Sequence, residues 1–173
     1  MELEENNTDV KIIKKKSTQL NRTTLEQRYL YMINKLNNLV KSYKRQREYE
    51  KIESVYLQIL KLRIEFLGEN QIDVADSLSN LGKLYYVQER YEEAESFLIQ
   101  TLQLHKQILG ESHPDIVNSL NNLAKLYYVQ EKYKEAEPLY IQALDMCKRL
   151  LGEEHTTTKK VKENYELMKQ KME

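Results

Sequence analysis

The chain has 173 residues, and its 27 basic and 27 acidic side chains give a formal net charge of zero. This balance argues against general binding to nucleic acids or anionic membranes, which needs a surplus of basic residues. Four glycines and two prolines leave few turn signals, so a helical protein is predicted.

The one cysteine, Cys147, excludes an internal disulfide and suits a reducing compartment. No apolar run approaches the roughly 18 residues of a membrane-spanning helix. A soluble cytoplasmic protein without membrane partners is therefore expected.

The first 22 residues are polar and show no periodicity, which predicts a flexible tail over residues 1–22. They also lack the apolar core of a signal peptide. The rest of the chain, residues 23–173, is expected to form the folded part.

A phrase of twelve residues is written twice in this folded part. The stretch LYYVQERYEEAE begins at Leu84 and returns, almost unchanged, as LYYVQEKYKEAE from Leu126, an offset of 42 residues. The triplet LGE recurs at the same spacing, at Leu67, Leu109 and Leu151. Repeats of this length indicate stacked units of supersecondary structure. The predicted units cover about 24–66, 67–108 and 109–150, with a capping helix over about 156–172.

Each unit is predicted to be a pair of helices. In the third unit Leu120, Leu123, Ala124 and Tyr127 follow the spacing of one helical face, and a second such pattern begins at Tyr133. The glycine of each LGE triplet then ends the second helix. Pro138 is tolerated only in a first turn, where its missing N–H needs no partner, so this second helix should start near residues 132–134.

Small residues recur at matching places on the two helices of the second and third units. Gly82 and Ala124 share one position, and Ala94 and Ala136 share the other. Small side chains at facing positions let two helices approach closely. The first unit has Val40 and Ile52 at these places, which predicts looser packing of that pair.

The pattern Leu81-Gly82-x-x-Tyr85, then Tyr91 and Ala94, resembles the tetratricopeptide repeat, and the 42-residue period with LGESHPD resembles its kinesin light chain subclass. The resemblance implies an all-α, right-handed α-solenoid of three helix-turn-helix units plus the C-terminal capping helix. It also implies a protein-binding adaptor or scaffold rather than an enzyme. The chain departs from the family at Arg47, Glu89 and Glu131, where glycine is usual.

A row of amides marks the first helices: Asn38, Asn80, Asn122 and Asn164 recur at 42-residue intervals although Asn is a weak helix former. On the face that the resemblance makes concave, amides can bond to the backbone of an extended peptide, ammonium groups favour acidic side chains, and phenols add contact area. The resemblance to kinesin light chains further implies a peptide with an aromatic residue beside acidic ones. The predicted peptide-binding groove consists of Asn38, Lys41, Asn80, Lys83, Tyr86, Asn121, Asn122, Lys125 and Tyr128.

Other interpretations of this face stay open. The asparagines would serve structure alone if they bond to one another or to the next helix, and the lysines would then form a solvated stripe. Stacking through exposed solenoid ends would make the chain a structural homo-oligomer. RNA binding is disfavoured by the zero net charge.

Catalytic and cofactor sites are not expected. No nucleophile with a base and no phosphate-binding loop appears, and no cluster of Cys and His has metal-ligand spacing. His113 and His155 occupy the same loop position in successive units, which favours helix capping over catalysis, and Cys147 is expected in the core.

Overall fold

The computed structural model describes the backbone of residues 2–172 and the side chains of residues 22–172. The described backbone contains seven α-helices and no strand. The helices are α1 Glu2–Gln46, α2 Tyr49–Leu67, α3 Ile72–Val87, α4 Tyr91–Leu109, α5 Pro114–Val129, α6 Tyr133–Leu151 and α7 Thr156–Met172. The predicted all-α class is therefore confirmed.

Helix α1 differs from the sequence-based prediction at its start. It begins at Glu2, so the segment predicted to be a flexible tail is helical. The first 46 residues contain neither glycine nor proline, and Lys and Leu, two residues that favour helices, are frequent among them. The apolar residues of this segment show no helical spacing, which is why periodicity did not predict the helix.

The helices stack as a solenoid. Helices α2, α4 and α6 begin 42 residues apart, and so do α3, α5 and α7. Each second helix of a unit packs on its own first helix and on the first helix of the next unit, as α4 does on α3 and α5. The first helices α3, α5 and α7 also approach one another in sequence. This arrangement is the predicted stack of helix pairs.

The small residues lie where the paired helices come closest. Gly82 is buried, and a Cβ added to it would lie 2.8 Å from Cγ and Cδ2 of Leu98 on α4. Ala94 and Ala124 are fully buried as well. Helices α1 and α2 carry bulkier residues at these positions and contact each other along a shorter stretch than α3 and α4 do. The core then continues through the stack, with Tyr140 only 1% exposed between α6 and its neighbours.

The inner turns adopt a left-handed backbone at residues that carry side chains. Arg47, Glu89 and Glu131 have φ values of 58°, 60° and 59°. After Glu89 the amide of Arg90 donates to the Tyr85 carbonyl at 2.9 Å, which closes the helix with a backbone hydrogen bond. A left-handed non-glycine residue costs roughly 1–2 kcal/mol, so these turns store strain that glycine would avoid.

The outer loops use histidine as predicted. The Nδ1 atom of His113 accepts a hydrogen bond from the Asp115 amide at 3.3 Å, next to the start of α5. His155 accepts from the Thr157 amide at 3.1 Å in the following loop. Both imidazoles satisfy backbone donors that a helix start leaves free, so the capping interpretation is confirmed.

Pro138 confirms one part of its prediction and corrects another. Helix α6 begins at Tyr133, inside the predicted range. Pro138 is then the sixth helical residue, so it lies in the second turn and not in the first. It lacks the N–H that would bond to the Lys134 carbonyl. Its ring is exposed, which keeps it clear of the packed faces.

Hydrogen bonds to one carboxylate tie each unit to the next. At the junction of α2 and α3, Tyr85 donates its hydroxyl to Glu53 at 2.9 Å, and Arg90 reaches the same carboxylate at 2.8 Å. The Arg90 guanidinium also lies 4.3 Å from the centre of the Tyr85 ring. Forty-two residues later Tyr127 donates to Glu95 at 2.9 Å, so the contact repeats.

The alkaline stability of the fold should depend on Tyr127. Burial, and then the hydrogen bond and charge of Glu95, raise the pKa of Tyr127 to about 12, from an ordinary value of 10.0. The folded chain therefore holds this proton between pH 10 and 12 while the unfolded chain releases it, and the free energy of unfolding falls across that window. In Tyr127→Phe we expect a loss of about 1 kcal/mol at pH 7, from the missing hydrogen bond, but a shallower fall above pH 10.

Urea denaturation at pH 7, 9, 10 and 11 measures both effects. Tyr31→Phe removes a hydroxyl from a side chain that is 68% exposed, and it is the matched control. Equal slopes above pH 10 in wild type and Tyr127→Phe would contradict the assignment.

Candidate functional site

The candidate site lies on the surface that α3, α5 and α7 form together, which we call the inner face. Two neighbouring cavities open on it. The larger one, the polar cavity, has a volume of about 430 Å³, and Lys83, Asn121 and Asn122 line it together with residues of α7. Its full lining is Asp76, Ser79, Lys83, His105, Asp115, Asn118, Ser119, Asn121, Asn122, Thr157, Lys160 and Val161.

The smaller one, the lysine cavity, has a volume of about 240 Å³ and lies between α3 and α5. Two ammonium groups, Lys83 and Lys125, line it beside the amide of Asn122. The remaining wall is mostly apolar and consists of Tyr86, Val87 and Leu98. Lys83 and Asn122 belong to both cavities, so the two form one continuous lining.

Five of the nine residues predicted for the groove line these cavities: Lys83, Tyr86, Asn121, Asn122 and Lys125. The other four line neither. Asn38 and Lys41 lie exposed on α1, and within residues 22–172 no Cα of α1 comes within 8 Å of α3. Asn80 is half-buried, and the Tyr128 ring packs near Tyr133 with 6.1 Å between centroids.

Asn121 has a structural contact. It is 8% exposed, and its Oδ1 accepts a hydrogen bond from Nδ2 of Asn164 on α7 at 2.9 Å. Asn121 thus makes the contact that the structural alternative predicted, in which an asparagine amide joins neighbouring helices. Its neighbour Asn122 is half-buried and remains open to both cavities.

The charges on the inner face perturb one another. Burial lowers the pKa of Lys83, the cations Lys44 and Lys160 add to this effect, and Asp76 opposes it. Burial also raises the pKa of Asp76. The Lys83 side chain is exposed as a whole, so its depressed pKa reflects the protein atoms around the ammonium group rather than full burial of the residue. Because the charged form of Lys83 is destabilised here, an anionic ligand would stabilise it more than it would stabilise a solvated lysine.

His105 was not among the predicted site residues. It is 5% exposed on α4 and lines the polar cavity, and burial lowers its pKa. Its Nδ1 lies 2.8 Å from the Ser119 hydroxyl, which itself donates to the Asp115 carbonyl at 3.0 Å. When Ser119 gives its one proton to that carbonyl, Nδ1 carries the imidazole proton and Nε2 is left as an acceptor.

This Nε2 atom is buried and has no hydrogen-bond partner in the described part of the chain. The 42-residue spacing could have identified His105 as a candidate site residue. Arg63, His105 and Cys147 occupy one position in the three second helices, and a long polar residue at a buried position needs a partner.

The described side chains bring no group of three His, Cys, Asp or Glu together as a metal site. None of the described helices combines the length and the apolar character needed to cross a membrane.

Known proteins share both sequence pattern and fold with this chain. Residues 73–149 and 115–165 match the profile of the tetratricopeptide repeat, and together the matches cover more than half of the chain. No curated protein sequence matches the chain.

Three solved structures illustrate the shared fold. BtubC (BKLC) from P. vanneervenii aligns with a TM-score of 0.72 and 21% identity, over 80% of this chain and 55% of that one. A putative kinesin light chain from Podosopora anserina, with nearly identical TPR-like repeats, gives 0.67 and 19%, over 80% and 65%. The TPR2B domain of yeast Sti1, solved as a complex with pHsp70, gives 0.60 and 13%, over 81% and 98%. The chain thus spans between half and two-thirds of the first two proteins.

Proposed function

The chain belongs to the tetratricopeptide repeat family, and we propose that it is a protein-binding adaptor whose inner face holds an extended peptide segment of its partner. One observation carries the proposal: residues at equivalent positions of two successive units, Lys83 and Lys125, line one cavity beside Asn122. A segment that runs along the inner face would thus meet the same groups at each unit. Adaptors of this kind need no catalytic group or cofactor.

The lysine cavity suits an acidic residue next to an aromatic one. Lys83 and Lys125 supply two cations for a carboxylate, and the nearby Val87, which is 56% exposed, supplies apolar surface for a ring. Tyr86 adds broad contact area with few rotatable bonds. The Asn122 amide can donate to and accept from the peptide backbone, which fixes the direction of the segment.

The polar cavity suits a different group. Asp76 and Asp115 are acceptors there. A hydrogen-bond donor such as an amide or a hydroxyl satisfies them, whereas a second carboxylate would meet two like charges. The proposed ligand therefore has an acidic–aromatic pair in the lysine cavity and a neutral donor one or two residues away.

The relatives support a role in protein binding. The Sti1 domain, which shares the fold along 81% of this chain, was solved in a complex with pHsp70. The single thiol, Cys147, is buried and free, which suits a reducing compartment such as the cytoplasm.

Asn122 and Asn80 provide a matched pair for the test. Both are half-buried and equivalent in the repeat, but only Asn122 lines the cavities. Against fluorescent extended peptides with a tryptophan flanked by aspartate and glutamate, we expect Asn122→Ala combined with Lys83→Ala to weaken binding at least tenfold, since a lost hydrogen bond to a charged group is worth about 1.5–3 kcal/mol. Asn80→Ala should change the affinity by less than about twofold.

Circular dichroism checks that each variant keeps its helices. Equal losses in the two variants, or unchanged binding in the Asn122 and Lys83 variant, would remove the inner face as the binding site.

Self-assembly through the solenoid ends is the second candidate, because α1 exposes several large apolar side chains, among them Leu25, Leu30 and Met32. It predicts an apparent mass that rises with concentration, which light scattering across a dilution series measures. A constant monomer mass would exclude self-assembly, and the adaptor function would be the remaining candidate.

A further inference from the structure

An apolar groove lies at the α1 end of the solenoid, away from the inner face. It has a volume of about 520 Å³ and lies between α1 and α2. We call it the end groove. Its lining consists of Tyr31, Met32, Lys35, Leu36, Leu39, Gln58, Lys61, Leu62 and Glu65.

The repeat shows what covers this surface elsewhere in the molecule. Met32, Leu36 and Leu39 correspond, 42 residues later, to Val74, Leu78 and Leu81. Those three are 3%, 8% and 0% exposed, because α2 packs over α3. Met32 is instead 47% exposed, and the described part of α1 packs on no helix other than α2. The end groove is therefore built like an internal junction that lacks its covering helix.

We infer that the end groove binds an amphipathic helix of a partner protein, in the place that α2 takes on α3. In the described chain the second helices of the units, α2, α4 and α6, each already cover the first helix of the next unit. A second copy of the chain therefore has no free helix of this kind to place in the groove. A helix that lays its apolar face into a hydrophobic groove is a common mode of recognition.

Charge at one position defines the partner further. Where α2 covers α3, Arg63 bonds to Asp73 and to the Ser77 hydroxyl. The equivalent residues on α1 are Tyr31 and Lys35. Lys35 is exposed and has no ion-pair partner among the described side chains. An incoming helix thus needs an acidic residue at this point, where an arginine would meet a like charge.

The other charges of the groove are balanced. Lys61 pairs with Glu65 at 3.8 Å. The charge preference of the groove therefore rests on Lys35. The partner is an amphipathic helix with an aliphatic face and an acid opposite Lys35.

Two peptides with the sequence of α2 (Tyr49–Leu67) test this inference, one unchanged and one carrying R63E. In low salt we expect the R63E peptide to bind the chain about tenfold more tightly than the unchanged one, as a close charge pair allows. The Lys35→Glu variant of the chain should reverse that order. Fluorescence anisotropy of labelled peptides gives all four affinities.

Met32→Glu should abolish binding of the R63E peptide, whereas Ile141→Glu should leave its affinity within about twofold. The two residues are matched, at 47% and 50% exposure, and Ile141 lies on α6, far along the chain from the groove. Circular dichroism should show both variants folded.

Three results would overturn the inference: the same peptide preference in wild type and Lys35→Glu, equal effects of Met32→Glu and Ile141→Glu, or no binding of either peptide. Sedimentation velocity supplies a fourth. A dimer of the chain that Met32→Glu dissociates would make a second copy the occupant instead. None of these outcomes depends on the inner face, so the adaptor function is tested separately.

Discussion

Replacing Gly82 by valine should lower the free energy of unfolding by about 3 kcal/mol, at the upper end of what overpacking a core costs. Even the Cβ of the new side chain would lie 2.8 Å from Leu98, and two further methyl groups must fit beyond it. Leu98 is only 2% exposed, so it cannot swing into solvent. Gly82→Ala should cost less, because alanine regains up to about 1 kcal/mol of helix propensity.

A double-mutant cycle in urea denaturation identifies the cause of this loss. Leu98→Ala alone should cost about 2–5 kcal/mol through the cavity that it opens. In that background Gly82→Val should cost much less, because valine then occupies the vacated space. Gln103→Val, at an exposed position of α4, controls for the helix propensity of valine. If the two costs add, the contact with Leu98 is not the reason why position 82 requires a glycine.

Replacing Arg63 by alanine should cost about 2–3 kcal/mol and loosen the junction between the first two units. Arg63 is mostly buried, with its side chain 13% exposed. It donates to the Asp73 carbonyl at 2.6 Å and to the Ser77 hydroxyl at 2.8 Å, and it pairs with the Asp73 carboxylate at 3.1 Å. Breaking a fully buried ion pair costs about 3–5 kcal/mol, and the half-exposed Asp73 lowers that figure.

Arg149→Ala is the matched control for this change. Arg149 pairs with Asp145 at 3.0 Å on the surface of α6, with 61% and 67% of the two side chains exposed. Surface pairs of this kind contribute up to about 1 kcal/mol and often less. Chemical denaturation should therefore separate the two variants by at least 1 kcal/mol. Similar losses in both would mean that the Arg63 contacts do not hold the units together.

The recurrence of LYYVQ and LGE was enough to predict the helix pairs, because the same residues must form the same turns at each repeat. It also predicted the close approach at Gly82 and the capping histidines. The helical start of α1 was missed because its apolar residues show no helical spacing in the sequence.

The candidate site was harder to predict than the fold. Asn121 and Asn122 are neighbours in sequence, yet successive residues of a helix point about 100° apart. The rotation that packing gives α5 decides that Asn121 bonds to α7 while Asn122 lines both cavities. On α1 the Asn and Lys spacing continues to Asn38 and Lys41, but the sequence cannot show that the described part of α1 has no Cα within 8 Å of α3. His105 required knowledge of which helix lies across from Ser119.

The left-handed residues of the inner turns affect how the solenoid bends. A glycine at such a turn would allow many backbone conformations, whereas Arg47, Glu89 and Glu131 are confined to a narrow well around φ 60°. Each helix pair is therefore stiff, and the solenoid bends mainly at the contacts between successive pairs. Stretching or tightening of the array by a bound partner would accordingly appear as changes of angle between units, with the shape of every hairpin preserved.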